Sequence, residues 1–166
     1  DSWNGNVTVA SFYKIATGTE GTLTFGTSGN VSSNDRIYAS RITGHNPSSP
    51  IGNSRGVQSY LTYPPAGYMN ITIPSISASS NNSMLVTALA INVSGTDSED
   101  VEYINSPQGS VTMYYEDYET TARVATEMLT GSGATGDRTF SWPSYNTRNR
   151  RNMYVAAQMF TINPAP

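Results

Sequence analysis

Residues 83–92, Ser-Met-Leu-Val-Thr-Ala-Leu-Ala-Ile-Asn, decide the fold class of this chain. A strand places alternate residues on opposite faces. Here both faces are largely apolar, with Met84, Val86, Ala88 and Ala90 on one and Leu85, Thr87, Leu89 and Ile91 on the other. A strand that is apolar on both faces is typical of the middle of a sheet whose two sides are covered. We therefore predict a central β-strand at 83–92.

Short segments with the same period of two recur along the rest of the chain, separated by glycine-rich or polar turns. The predicted strands are 6–13, 21–26, 36–43, 56–63, 68–73, 83–92, 109–116, 121–129, 137–142 and 152–162. About ten strands at this spacing predict one all-β domain over residues 1–166, an antiparallel β-sandwich of jelly-roll type. Its predicted core contains Val9, Phe25, Ile37, Ile42, Leu61, Ile71, Leu85, Leu89, Val111, Val124, Phe140, Val155 and Phe160.

Composition excludes several classes of protein. The chain has no cysteine, which excludes disulfides, zinc–thiolate sites and a cysteine nucleophile. Only 13% of its residues are charged and its net charge is -3, which disfavours nucleic acid as a partner. No apolar run is long enough for a membrane span. Arginine outnumbers the single lysine, Lys14, and arginine is the cation favoured at protein interfaces.

The residues that carry enzyme chemistry are scarce or badly spaced. His45 is the one histidine, and it follows no G-x-S-x-G motif, so we predict an exposed loop histidine rather than a catalytic base. The run 114–119 mixes tyrosines with acids, but strand alternation directs neighbouring acids to opposite faces. We predict no catalytic residue, no cofactor and no enzymatic activity.

Two charged segments each have a structural interpretation, as an exposed loop or turn, and a functional one, as a site of binding or subunit contact. The acidic segment with Asp97, Glu99 and Asp100 is either a solvated loop, a calcium site of oxygen ligands, or a contact between subunits. The basic cluster consists of Arg148, Arg150 and Arg151. It is either an exposed turn or the arginine half of such a contact, because arginine pairs with carboxylates through two hydrogen bonds.

Several strand patterns together resemble a known family. They are Ser-Phe-Tyr-Lys-Ile-Ala at 11–16, Thr-Gly-Thr-Glu at 17–20, Thr-Leu-Thr-Phe at 22–25, Arg-Ile-Thr-Gly at 41–44, the strand at 83–90 and Thr-Phe-Ser-Trp at 139–142. This combination resembles the jelly-roll-like domains of tailed-bacteriophage virion proteins, which occur in tail fibres and as capsid decorations. The likeness extends from about Trp3 to Ile162.

The resemblance implies a structural protein on the exterior of a virion. Its partners would be other copies of itself and other virion proteins, in the capsid or in the tail. The family pattern begins with one more strand and a Gly-Trp turn, and Trp3 lies near the position of that turn. We therefore expect the first strand to be missing, either because the chain is a fragment or because a neighbouring subunit supplies that strand by edge addition.

The alternative function is a carbohydrate-binding module or adhesin domain for host-surface glycans. Aromatic rings stack on sugars, and the candidate rings are Trp3, Tyr63, Tyr68, Tyr114, Tyr118 and Trp142. Glycan binding requires a pair of exposed, coplanar rings in one groove, whereas a structural module buries its rings or uses them in subunit contacts.

Overall fold

The computed structural model describes residues 7–18, 21, 22, 24, 37–61, 68–93, 102, 103, 111–117, 122–143 and 153–166. These residues contain β-strands and no helix. The strands are β1 (Ile51–Leu61), β2 (Tyr68–Ile73), β3 (Ser77–Ala78), β4 (Met84–Val93), β5 (Glu102–Tyr103), β6 (Val111–Asp117), β7 (Ala122–Met128), β8 (Gly133–Ala134), β9 (Arg138–Pro143) and β10 (Met153–Ile162). An all-β, antiparallel fold is therefore confirmed.

The described strands form one large sheet, one small sheet and a short two-strand ladder. The large sheet has the order β1-β10-β4-β7-β6, and the small sheet has the order β2-β9-β5. The ladder pairs β3 with β8. Strand β4 lies in the middle of the large sheet, as the pattern of 83–92 predicts.

The two larger sheets share one hydrophobic core, so the fold is sandwich-like. Ile71 and Ile73 of β2 and Phe140 of β9 belong to the same buried cluster as residues of the large sheet, which are Leu85, Leu89, Ile91, Val155, Ala157 and Met159. Burying aliphatic and aromatic side chains in this way is the main stabilising contribution to a domain of this size.

The predicted core is confirmed in part. Ile71, Leu85, Leu89, Phe140 and Val155 are buried, whereas Val9, Ile42, Val124 and Phe160 are only half-buried. Ile37 is 57% exposed, so its placement in the core was wrong. Phe25 lies outside the described residues, and of Leu61 and Val111 only the backbone is described.

Two predicted strands are absent where the chain is described. Residues 7–13 and 37–43 belong to no strand, and neither do residues 21, 22 and 24 of the segment predicted at 21–26. The physical reason is that β-propensity measures how well a segment fits a half-buried, hydrogen-bonded surface, and no described strand pairs with these segments. The segment 56–63 is a strand, but it begins earlier, at Ile51. The short β3, β5 and β8 were missed because two residues show no period.

Strand β7 presents its charged residues to the core. Arg123, Ala125 and Glu127 are buried, whereas Val124 on the opposite face is half-buried. The expectation that Val124 marks the core face was therefore wrong. The Glu127 side chain can lie inside because the core supplies a charged partner for it.

That partner is Arg138, and it joins the two sheets. Arg138 of β9 donates from Nε to Glu127 Oε2 at 2.9 Å and from Nη2 to Oε1 at 3.0 Å. Its Nη1 donates to the carbonyl oxygens of Thr135, Gly136 and Asp137. Arg138 is fully buried and Glu127 nearly so. A two-pronged ion pair of this kind fixes the position of one sheet against the other.

Asn163 fastens the end of the described chain to the loop before β1. Its backbone N–H donates to Pro50 O at 2.9 Å, and its side-chain Nδ2 donates to Ser49 O at 2.9 Å. Its Oδ1 accepts from Ser79 Oγ at 2.8 Å. His45 is half-buried because its backbone pairs with Pro164 beside this contact, so the expected exposed histidine was wrong.

We predict that Glu127→Gln lowers the free energy of unfolding by about 3–5 kcal/mol, because it leaves the Arg138 guanidinium buried without a counter-charge. Chemical denaturation would measure the loss. The neighbouring Met128→Ala is the control, and it should change stability by no more than about 0.5 kcal/mol. The double variant Glu127→Leu/Arg138→Met should be more stable than Glu127→Gln. A loss below about 1 kcal/mol in Glu127→Gln would contradict this account.

We predict that Gly52→Ala destabilises the protein by roughly 1–3 kcal/mol, because a Cβ at Gly52 would overlap the Thr161 Oγ1 atom in β10. Gly56→Ala in the same strand is the matched control, since a Cβ there meets only Ala157 O at 3.6 Å, an ordinary contact. Thermal or chemical unfolding of both variants would test the difference. Equal effects at the two positions would contradict the predicted overlap.

Candidate interaction surface

The most conspicuous feature of the described surface is an extended segment at residues 7–18, which we name the arm. No residue of the arm belongs to a strand. Phe12 is 89% exposed and Tyr13 is 65% exposed. Isolated exposed apolar residues are common on soluble proteins, but two adjacent large rings on one extended segment mark a candidate contact surface.

The arm is bonded to the large sheet at two points, although it has no ladder partner among the described residues. Ser11 Oγ donates to Gln158 Oε1 at 2.8 Å, and Gln58 Nε2 donates to Val7 O at 3.3 Å. Val7, Val9 and Ile15 are half-buried, whereas residues 10–14 are all exposed. These bonds hold the first part of the arm against β1 and β10 and leave the rings of Phe12 and Tyr13 in solvent.

A second segment, residues 37–43, has the same character. It belongs to no strand, and each of its residues except Ile42 is exposed. Ile37 is 57% exposed and Tyr38 is 37% exposed. Both segments therefore carry a strand-like sequence with large apolar side chains at the surface.

The outer face of the large sheet, opposite the core, is apolar rather than polar. Val86 and Ala156 are buried there, and Ala88, Val124 and Phe160 are half-buried. Antiparallel sheets usually turn a polar face to water. The predicted coverage of β4 on both sides is therefore consistent with its surroundings, and the arm crosses part of this outer face at Gln158.

The charged residues of the arm and of the stretch that contains residues 37–43 all have the same sign. The stretches 7–18 and 37–61 contain Lys14, Arg41 and Arg55 and no acidic residue. All three of these side chains are exposed. These two described stretches therefore combine exposed rings with a sparse positive charge.

The charged candidates from the sequence cannot be placed. Asp97, Glu99, Asp100, Arg148, Arg150 and Arg151 all lie outside the described residues. Their pairing across subunits, and calcium binding by the acidic segment, stay predictions. Within the described part of the chain, no group of His, Asp and Glu residues is arranged to hold a metal ion. The same part contains no helix of the length and apolarity needed to cross a membrane.

The aromatic candidates are placed only in part. Trp3, Tyr63 and Tyr118 lie outside the described residues. Tyr68 and Trp142 occupy the neighbouring strands β2 and β9, where they lie opposite Pro143 and Met69. Tyr114 lies in β6, in the other sheet, at the point where the register with β7 shifts. The backbone therefore brings Tyr68 near Trp142 and places Tyr114 elsewhere.

Sequence reasoning missed the exposed rings of the arm. The sequence pattern predicts that Phe12 and Tyr13 lie in a strand at 6–13 and that Tyr38 lies in a strand at 36–43. The alternation that predicts a strand is present in both segments, but alternation alone does not say whether the neighbouring strand comes from the same chain.

Comparison with protein-family models, with curated proteins and with solved structures finds no match to this chain. The resemblance to tailed-phage virion domains therefore stays a prediction, and the function has to be argued from the geometry described above.

We predict that Phe12→Ser leaves the free energy of unfolding within about 0.5 kcal/mol of the original, because the ring makes few contacts within its own chain. Phe140→Ala, which removes a fully buried ring, should instead cost about 3–5 kcal/mol. Chemical denaturation at low protein concentration would compare the two. A large loss in Phe12→Ser would mean that the ring packs inside its own subunit.

Proposed function

We propose that this chain is a non-enzymatic structural protein of a virion, located on the particle exterior, which acts by packing against copies of itself and other virion proteins. The observation that carries the proposal is the exposure of Phe12 and Tyr13 on an arm that belongs to no strand and pairs with no described strand. Such a segment gains stability only when another surface covers it.

The interior supports a structural role. The ion pair between Glu127 and Arg138 and the shared core hold the two sheets in one arrangement. A subunit of a particle benefits from this rigidity, because its contact surfaces then keep their relative positions. The finer fold that we propose is the jelly-roll form of the β-sandwich, and the family resemblance favours either a capsid decoration or a tail or fibre component.

The second candidate is a glycan-binding adhesin domain. It is favoured by the exposure of aromatic rings on the surface, in particular Tyr13 and Tyr38. Rings of this kind can stack on a sugar as well as pack against a protein. The two functions separate experimentally, since stacking requires a free ring and packing removes it from solvent.

We predict that the full chain self-associates and that Phe12→Ser weakens the association by roughly ten- to a hundredfold, the equivalent of about 1.5–3 kcal/mol for one buried ring. Light scattering over a concentration series would measure the effect, and electron microscopy would show the form of the assembly. Ala134→Ser, a change at an exposed residue of β8, is the control and should leave association unchanged.

A monomer at every concentration, with no particles in micrographs, would contradict the proposal of self-packing. Micromolar binding on a glycan array by such a monomer, lost in Tyr13→Ser, would favour the adhesin domain instead.

A further inference from the structure

We infer that the arm of one copy adds as a β-strand to the exposed edge of β1 in a second copy. This inference rests on the proposed function, since it names the surfaces through which the subunits pack. It requires a donor segment that belongs to no strand, a sheet edge that no described strand covers, and a reason why the two do not pair within one chain.

The arm has the properties of a donor. It belongs to no strand, its residues 10–14 are all exposed, and none of its residues forms a β-bridge with another described residue. Backbone N–H and C=O groups leave water favourably only when they find partners. The exposed Phe12 adds apolar surface that a neighbouring sheet would cover.

Strand β1 has the properties of an acceptor. It is 11 residues long and lies at the edge of the large sheet, where it pairs with β10 on one side and with no described strand on the other. Its register with β10 shifts between Ile51 and Ser54 and is regular from Ser54 to Leu61. It contains one charge, Arg55, and no proline. The regular part is a long edge with a single charge, and such an edge can pair with another strand.

The arm does not follow the edge of its own β1. Val7 contacts Gln58 of β1, and only four positions later Ser11 contacts Gln158 of β10. In the register of the sheet, Gln158 lies opposite Gly56. The arm therefore crosses from one strand to the next over the face of the sheet, and no described strand covers the outer edge of β1.

The charges restrict how the two segments can align. Lys14 in the arm and Arg55 in β1 are both exposed cations, and like charges directly opposite each other in a ladder are destabilising. Registers that separate them are favoured. In such registers the even-numbered residues Ala10 and Phe12 can extend the core beside Val57, which packs at its margin. Reciprocal exchange of two arms gives a symmetric dimer.

The test uses single cysteines, which the natural chain lacks. Ser54→Cys is mixed with Ala10→Cys or with Ala16→Cys, each carried by a differently tagged full-length chain, and a short bis-maleimide is added. A cross-link between the two tags can form only between copies. We expect strong cross-linking with one of the two arm positions, and the preferred position reports whether the added strand is parallel or antiparallel. Ser132→Cys mixed with Ser54→Cys is the control and should cross-link weakly.

Hydrogen–deuterium exchange on the unmodified chain gives an independent readout of backbone pairing. On assembly, amides of the arm and of β1 should slow together by roughly tenfold or more. An oligomer whose arm exchanges freely and does not cross-link to β1 would overturn this inference and leave the proposed function standing. A chain that stays monomeric would overturn both, and protection of β1 by its own arm in a monomer would show that the pairing is intramolecular.

Discussion

The structure depends on the buried guanidinium of Arg138, which requires a negative charge beside it. Arg138 extends from the small sheet into the core, and its guanidinium is satisfied only when Glu127 of the large sheet faces it and three carbonyl oxygens before β9 turn toward it. Breaking such a pair costs more than making it gains. The pair therefore selects one arrangement of the two sheets over the alternatives that hydrophobic burial alone would allow.

The loops around this pair follow from the same requirement. The turn at 135–137 presents its carbonyl oxygens to Arg138. The backbone N–H of Thr135 donates to Ile76 O at 2.8 Å, and Thr135 Oγ1 accepts from the backbone N–H of Ile76 at 3.2 Å. Asp137 accepts from the backbone N–H of Ser75 at 2.9 Å. One end of the molecule is thus cross-linked by polar contacts, whereas the arm and residues 37–43 belong to no strand.

Much of the fold could be predicted from the alternation of apolar and polar residues, and the predictions that failed did so for physical reasons. The strands around β4 were found within one or two residues, because their periods of two are supported by cross-strand neighbours in the same chain. The arm and residues 37–43 have equally good periods but no such neighbour. For β7, polarity assigned the faces wrongly, since the sequence does not show that Glu127 meets Arg138. The exposed rings of the candidate surface could not be predicted, because alternation does not show which segments have a neighbouring strand. The buried ion pair could not be predicted, because the sequence does not show which charged residues meet.

The one-sided charge of the arm and of β1 has a consequence for the conditions under which subunits would join. With cations on both partners and no acid in either stretch, their long-range interaction is a mild repulsion. Dissolved salt screens that repulsion, and sulfate or phosphate salts also strengthen the burial of the rings. A contact of this kind would therefore become tighter as ionic strength rises, the opposite of an interface held by salt bridges.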